Sequence, residues 1–539
     1  MKIPLFIGIV VGFVLTVDLR ADELLPSNRS IGEAIDHYVD AKLKKAKIAP
    51  APAAAGATLV RRLYLDLAGR IPTAMEAQTF INSKDPQKRQ KLIEDLTASP
   101  EYLRHNATEF DVFLRNENPD GGSVRSYLLA AFQENRPWDR MFRDLIGAGE
   151  KAHSAKPEQY VLKRLRDRDV LARDVSSVFF GLNISCAQCH RHPYIGTITQ
   201  HYFYGMREFF AASYDFKGNL LDRKYVKPGE FKAKSGKMQP VSLMFLDGKQ
   251  IERPKDALTV ADLTKAIQEE SKLIEKLAKE KSKELPDQPT FRARVKLAEI
   301  GLSTENRDRF AKALVNRLWY RFYGHGLVMR VDQLHANNAP SHPELLDWLA
   351  RDFIEHKYDI KRLIVGLVSS NAYARTSQWN GKSPPTPDHF AVAAIRPLTP
   401  GQWGASFHLV TNPTLFGSDK SVTSREKVAT ALETAGKGAE AFIDYPRDDS
   451  PISASESMRL SNDAGIQKSL VGRAASLVKQ KDRKSQITES VWIVLSRPPT
   501  DSEVELFDKY LERRKDRPEA GLHQMIWALV NSPEFRFNH

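Results

Sequence analysis

The two cysteines of this 539-residue chain stand three apart and are followed at once by a histidine, in Cys186-Ala187-Gln188-Cys189-His190. That spacing suits covalent attachment of a c-type haem. Two thiols add to the two vinyl groups on one porphyrin edge, and the next histidine reaches the iron. His190 is the expected proximal ligand, and His201 or Met206 the expected distal one, with His325 and His335 also considered. His192 is too close in sequence to swing to the opposite face. Two other chemistries use the same side chains. A Cys186–Cys189 disulfide suits an oxidising compartment, and a zinc clip would take both thiols with two of His190, His192 and His201. A thiol–disulfide exchanger is disfavoured, because no strand–helix pattern of a thioredoxin unit surrounds the pair.

The stretch 170–182 has helical spacing and ends on Gly181, so the cysteines are expected in the loop just past a helix terminus. Upstream of everything, Met1-Lys2 precedes an uncharged run over 3–17, then Asp18, Arg20 and the small Ala21. This reads as a signal peptide over 1–21, too short an apolar run to span a membrane, and no second such run follows. The mature chain is expected to be exported, periplasmic or extracellular, with no transmembrane span.

Composition supports folded domains: 42% of residues are hydrophobic and 27% charged, enough for two to four cores at this length. The net charge of +13 is spread along the chain and mixed with acids in its densest stretch, which argues for a solvated surface and against nucleic acid. Gly-x-Ser-x-Gly, phosphate-loop and His-Glu-x-x-His signatures are missing. No reaction is therefore written in the sequence outside the cysteine motif.

The periodicity predicts a mainly α-helical fold, multi-helical bundles of related units with a small β-containing, Lys-rich insert. The expected divisions are an N-terminal segment and Ala/Pro linker over 22–57, a helical domain with the cysteine motif over 58–214, and the insert over 215–288. A helical domain over 289–380, a Pro-rich linker over 381–390 and a C-terminal helical domain over 391–539 complete the chain. Two phrases recur. Arg70-Ile71-Pro72-Thr73-Ala74-Met75-Glu76 returns as Arg497-Pro498-Pro499-Thr500-Asp501-Ser502-Glu503, each with a capping-box Thr and Glu. Ser99-Pro100-Glu101 returns as Ser532-Pro533-Glu534, a cap followed by proline at the first helical position, with a looser third copy near Ser370. Arg317, in an apolar helix expected near 306–323, is predicted to be buried and paired with Asp332 or Asp347, Asp332 being preferred.

Several phrases together resemble one family, the planctomycete cytochrome-c-type proteins (domain of unknown function 1549) with their companion C-terminal domain (domain of unknown function 1553). They are Arg62-Leu63-Tyr64-Leu65-Asp66-Leu67, the stretch 186–193, Asn316-Arg317-Leu318-Trp319, Gly324-His325-Gly326-Leu327-Val328, 341–346 and Asn531-Ser532-Pro533-Glu534-Phe535. The resemblance covers most of the chain from about Thr58 onward, least in the insert. Where the family has Asp-His-Pro-Phe this chain has Arg191-His192-Pro193-Tyr194, and Ile198 stands for a usual tryptophan. The resemblance implies an exported protein engaged with extracellular polymers, holding at most one haem here. It implies a redox partner protein or an extracellular polymer as partner, and no established reaction.

Overall fold

The computed structural model describes residues 24–116, 121–149, 155–233, 235–254, 258–280, 284–412, 415–416, 421–441, 443–446 and 454–539. The expected signal peptide lies outside them. The fold is mainly α-helical, and strands among the described residues occur only as two-stranded antiparallel pairs. No described helix is long and apolar enough to cross a membrane.

One continuous core runs from Ile31 to Ala391, so the regions expected as separate domains over 58–214 and 289–380 share their interior. Helix Ile31–Ala46 explains part of this. Its Ile31, Ile35, Val39 and Leu43 recur at helical spacing and are buried, and it packs on helices Pro343–Glu355 and Ile360–Ser369. A one-sided apolar stripe must find another element to cover it. The Ala/Pro stretch that follows is a docked strap rather than a free linker. The Ala51 and Ala54 amides donate to the Ala391 and Ala374 carbonyls, both at 2.8 Å, and the Thr376 amide returns one to Pro52 at 2.8 Å. The Pro-rich stretch before residue 391 is docked too: Phe390, at φ 51, is buried against Trp319 and Tyr323.

A second core spans Leu398 to Phe535 and takes in Leu65 and Ile71 from the first unit. The two cores are stitched together by helix Gly56–Ala68. Buried Arg61 donates to the carbonyls of Phe535 (2.9 Å) and Glu534 (3.1 Å). Arg62 donates to those of Tyr373 (2.5 Å) and Arg375 (3.0 Å). Asp66 accepts from Tyr373, Arg396 and Asn538.

The recurrence in sequence is a recurrence in structure. In the first unit, helix Gly56–Ala68 ends on Gly69 at φ 68, and helix Ala74–Asn82 starts with the Thr73/Glu76 capping box. Helix Lys88–Thr97 follows, and Ser99 caps helix Pro100–Arg115. In the second, helix Arg483–Leu495 ends on Ser496 at φ 61, the Thr500/Glu503 box opens helix Asp501–Glu512, and helix Pro518–Val530 leads to the Ser532 cap. Each unit is closed by the same clamp. Arg70 sits on Glu76 (2.8 Å) and approaches Glu101 (3.5 Å), and Arg497 sits on Glu503 (2.7 Å) and Glu534 (2.6 Å). One arginine thus ties the start of the second helix to the start of the last.

The Arg497 clamp makes the second unit sensitive to acid. Its hydrogen bonds to Glu503 hold that carboxyl down from 4.5 to about 2. A carboxyl depressed in the folded state contributes stability that is full above the unfolded value and is lost as pH falls through the folded one. The melting temperature of the C-terminal core is expected to fall between about pH 4.5 and 2. Glu503→Gln should remove part of that dependence, and calorimetry at pH 7 and pH 3 on both proteins checks it.

In the insert, three hairpins pair Ser213–Phe216 with Asn219–Asp222, Glu230–Lys232 with Met238–Pro240, and Leu243–Met244 with Gln250–Ile251. Asp222 anchors its base. Against the upward push of burial, Arg294 (2.7 Å) and Arg292 (3.2 Å) hold the Asp222 carboxyl below its usual range. The charged helix Val260–Lys279 buries no residue and lies on the surface as its pattern predicts.

Candidate functional site

Helix Arg168–Phe180 is capped by Asp167 and ends on Gly181 at φ 61. A side chain at 181 would strike Leu334, whose Cδ1 lies 2.3 Å from an added Cβ, so glycine serves both the left-handed turn and a close approach. That approach is to the loop after helix Arg307–Tyr323. The Leu334 amide donates to the Gly181 carbonyl and the Asn183 amide to that of Asp332, both at 2.8 Å. The segment carrying the cysteines is therefore clipped to a loop about 150 residues away in sequence.

Asn183 then starts the turn. Its Oδ1 accepts from the Ser185 amide at 3.0 Å and from the Ser185 hydroxyl at 2.5 Å, and its Nδ2 donates to Asp332 Oδ2 at 2.9 Å. The motif begins in one 3₁₀ turn, Ser185–Gln188, with Cys189 as its C-cap. Residues three apart eclipse in such a turn, so Cys186 and Cys189 share a face while Ala187 points inward and is fully buried. Both thiols are free and exposed. Gln188 fixes the turn to its surroundings, donating to Asp169 Oδ2 (2.9 Å) and accepting from Gln200 Nε2 (3.1 Å) at its carbonyl.

The two nearby histidines have opposite situations. His190 is exposed, and its Nδ1 lies 2.7 Å from the Arg191 carbonyl. A carbonyl can only accept, so Nδ1 carries the proton and Nε2 keeps a free lone pair, the tautomer that metal-binding histidines use. His192 is turned inward and buried. Its Nδ1 accepts from the Tyr194 amide (3.3 Å) and its Nε2–H donates to the Asn183 carbonyl (3.2 Å). Burial and the neighbouring His190 push its pKa down. Both ring nitrogens are used, so His192 is a brace for the loop and not available to a zinc clip.

Helix Gln200–Glu208 packs on the turn and carries both expected distal ligands. Met206 is fully buried in the core, on the apolar face of its helix. His201 reaches the surface, edge-on to Phe231 at 4.9 Å between ring centroids. Tyr204 stacks on Phe231 at 4.6 Å; burial and Asp169 raise its pKa, with a contribution from Cys189. On the other flank, exposed Tyr194 stacks on His335 with ring planes 10° apart, and His335 stands edge-on to His192. His325 is edge-on to Phe390, within the Trp319 and Tyr323 group.

The Tyr194–His335 pair was missed at the sequence level, since nothing local links residues so far apart. Among the described residues no three His, Cys, Asp or Glu side chains converge as a ligand set for a metal held by protein alone. The residues do fit a group attached through two thiols and one imidazole: the thiols share an exposed face and His190 offers Nε2.

Arg317 and Asp332 do not form the expected pair. The Arg317 guanidinium lies over the Phe113 ring at 4.6 Å and is only half-buried, while the Asp332 carboxylate takes Asn183. Asp347 instead takes Lys312 at 2.5 Å.

No curated protein and no solved structure matches the chain. Residues 34–215 match a family described as a protein of unknown function (DUF1549), PSCyt2, and residues 293–412 match another described in the same words (DUF1553), PSD1. The clip between 181–183 and 332–334 joins the two matched regions at the cysteine turn, and the chain belongs to the proteins that carry PSCyt2 and PSD1 in this order.

Proposed function

We propose that the turn Cys186–His190 is the attachment site of one c-type haem and that the chain is an exported redox protein whose minimal role is electron transfer. The observation that carries this reading is the pairing of two free thiols on one face with a His190 whose Nδ1–H is engaged and whose Nε2 is open. The haem supplies a one-electron iron couple. The chain's own part is to form two thioether bonds, each sulfur adding to one vinyl carbon as its proton goes to the other. Gln188, Asn183 and His192 keep the turn in place, and Tyr194 with His335 and Tyr204 with Phe231 provide aromatic flanks. His201 is the distal candidate that remains at the surface. The partner is a redox protein or an extracellular polymer.

A second reading is a non-catalytic scaffold or polymer-binding protein in which Cys186 and Cys189 close a short disulfide or a zinc clip. It draws on the Cys189 amide, 3.4 Å from the Cys186 carbonyl, which brings the two residues close in one turn. Expression with active cytochrome c maturation, followed by a denaturing gel stained for haem peroxidase activity, separates them. The first reading expects a stained band in the wild type and none in Cys186→Ala/Cys189→Ala. An unstained wild type beside a matured control cytochrome would overturn it.

A further inference from the structure

Asn380-Gly381 is the one Asn-Gly pair in the chain. An asparagine closes a succinimide ring when the backbone nitrogen of the next residue attacks its side-chain carbonyl carbon. Closure needs a following residue with no side chain in the way, a backbone free to bring the two atoms together, and an amide not engaged in another hydrogen bond. The pair meets all of these. Both residues are exposed and lie outside helices and strands. Neither the Asn380 carboxamide nor the Gly381 amide bonds to any described residue. An added Cβ at 381 would lie 2.5 Å from Trp379 Nε1, so a larger residue there would displace the indole.

Comparable positions elsewhere in the chain are blocked by the fold. After Asn82 the Ser83 amide donates to Thr79 (3.1 Å), after Asn337 the Asn338 amide donates to His335 (2.9 Å), and after Asn531 the Ser532 amide donates to Leu529 (3.1 Å). Asn531 is held as well, its Nδ2 donating to the Trp527 carbonyl at 2.8 Å. At Asp247-Gly248, where an aspartate could close the same ring, the Gly248 amide donates to Phe245 (3.0 Å). The Asp247 carboxylate there accepts from the Lys249 amide and from Asn306 Nδ2, both at 2.8 Å.

We infer that Asn380 is a site of spontaneous deamidation in the folded protein. The Gly381 nitrogen loses its proton and bonds to Asn380 Cγ, the bond from Cγ to Nδ2 breaks, and ammonia leaves. Water then opens the ring at either carbonyl, giving aspartate or, where the chain is rerouted through the side chain, isoaspartate. Nothing is oxidised or reduced. Each event turns a neutral amide into a carboxylate. The isoaspartyl form also adds one backbone atom between Thr376, whose amide donates to Pro52, and the docked Phe390. The exposed stretch 380–384 takes up that atom and leaves both docked ends in place. The inference stands apart from the haem reading.

Time courses of the full mature chain in mildly alkaline buffer, native and in urea, followed by peptide mass spectrometry, test it. The peptide containing Asn380 is expected to gain about 1 Da, the difference between an amide and a carboxyl. Folding should lower its rate by less than about threefold. The peptides containing Asn82, Asn337 and Asn531 should be protected by at least about tenfold in the native state. Isoaspartyl methyltransferase should label aged wild type and not aged Asn380→Gln, whose longer side chain closes a ring far more slowly. Folding that protects Asn380 as strongly as Asn531 overturns the inference, as does methyl labelling that Asn380→Gln retains in full.

Discussion

Asp66→Ala is expected to cost about 3–5 kcal/mol, the largest stability effect of any single substitution considered for this chain. Asp66 is 3% exposed and accepts from Arg396 at 2.7 and 3.0 Å, from the Tyr373 hydroxyl at 2.7 Å and from Asn538 Nδ2 at 2.9 Å. Removing the carboxylate leaves the Arg396 guanidinium without its counter-charge, and two further donors without an acceptor, in an interior that water does not easily reach. The damage is to a joint. Asp66 belongs to the first unit, Tyr373 to the segment on which the strap over 51–54 docks, and Asn538 to the last strand, whose partner is Arg396–Pro397. Limited proteolysis should therefore release the C-terminal core of the variant before the Ile31–Ala391 core is cut. Urea unfolding of both proteins gives the magnitude; a shift below about 1 kcal/mol would mean that water replaces the carboxylate.

The parts of this architecture that sequence reveals are those written in short spans. Capping boxes at Thr73 and Thr500 and the Ser-Pro-Glu turns involve residues three or four apart, so both helical units were legible before any fold was known. Their arginine clamps were not, because Arg497 reaches Glu534, 37 residues on. Arg317 shows the opposite difficulty: an apolar neighbourhood suggested a fully buried charge, but the residue is half-buried and its guanidinium lies over the Phe113 ring at the edge of the core. The deeply buried arginines, Arg61, Arg164 and Arg294, sit in unremarkable local contexts and are defined by partners elsewhere in the chain. The stretches read as linkers erred for a related reason. An Ala/Pro segment docks through its backbone amides, and backbone pairing leaves no side-chain pattern to read.

At the cysteine turn the same division holds. The motif and its place after a helix end at Gly181 were local and visible. Burial of Met206 depends on which face of its helix meets the core, and the Tyr194–His335 stack depends on a clip between two matched regions that no spacing discloses.

His190 and His192 are expected to fail in different ways, and that contrast is the sharpest test of the turn. His192→Ala removes two hydrogen bonds that brace the loop, from the Tyr194 amide and to the Asn183 carbonyl, and should cost about 2 kcal/mol while lowering the yield of haem-stained chain. His190→Ala touches only an exposed side chain bonded to its neighbour's carbonyl, so its stability should stay within about 0.5 kcal/mol of the wild type. With the haem held as proposed, covalent staining should persist in it, since Cys186 and Cys189 remain, but the visible spectrum should change entirely in character with the proposed proximal imidazole removed. Denaturing gels, thermal melts and absorption spectra of the two variants give the three readouts. A His190→Ala protein with the spectrum of the wild type would remove His190 from the iron. The same loss of stability in both variants would reduce the pair to a structural brace.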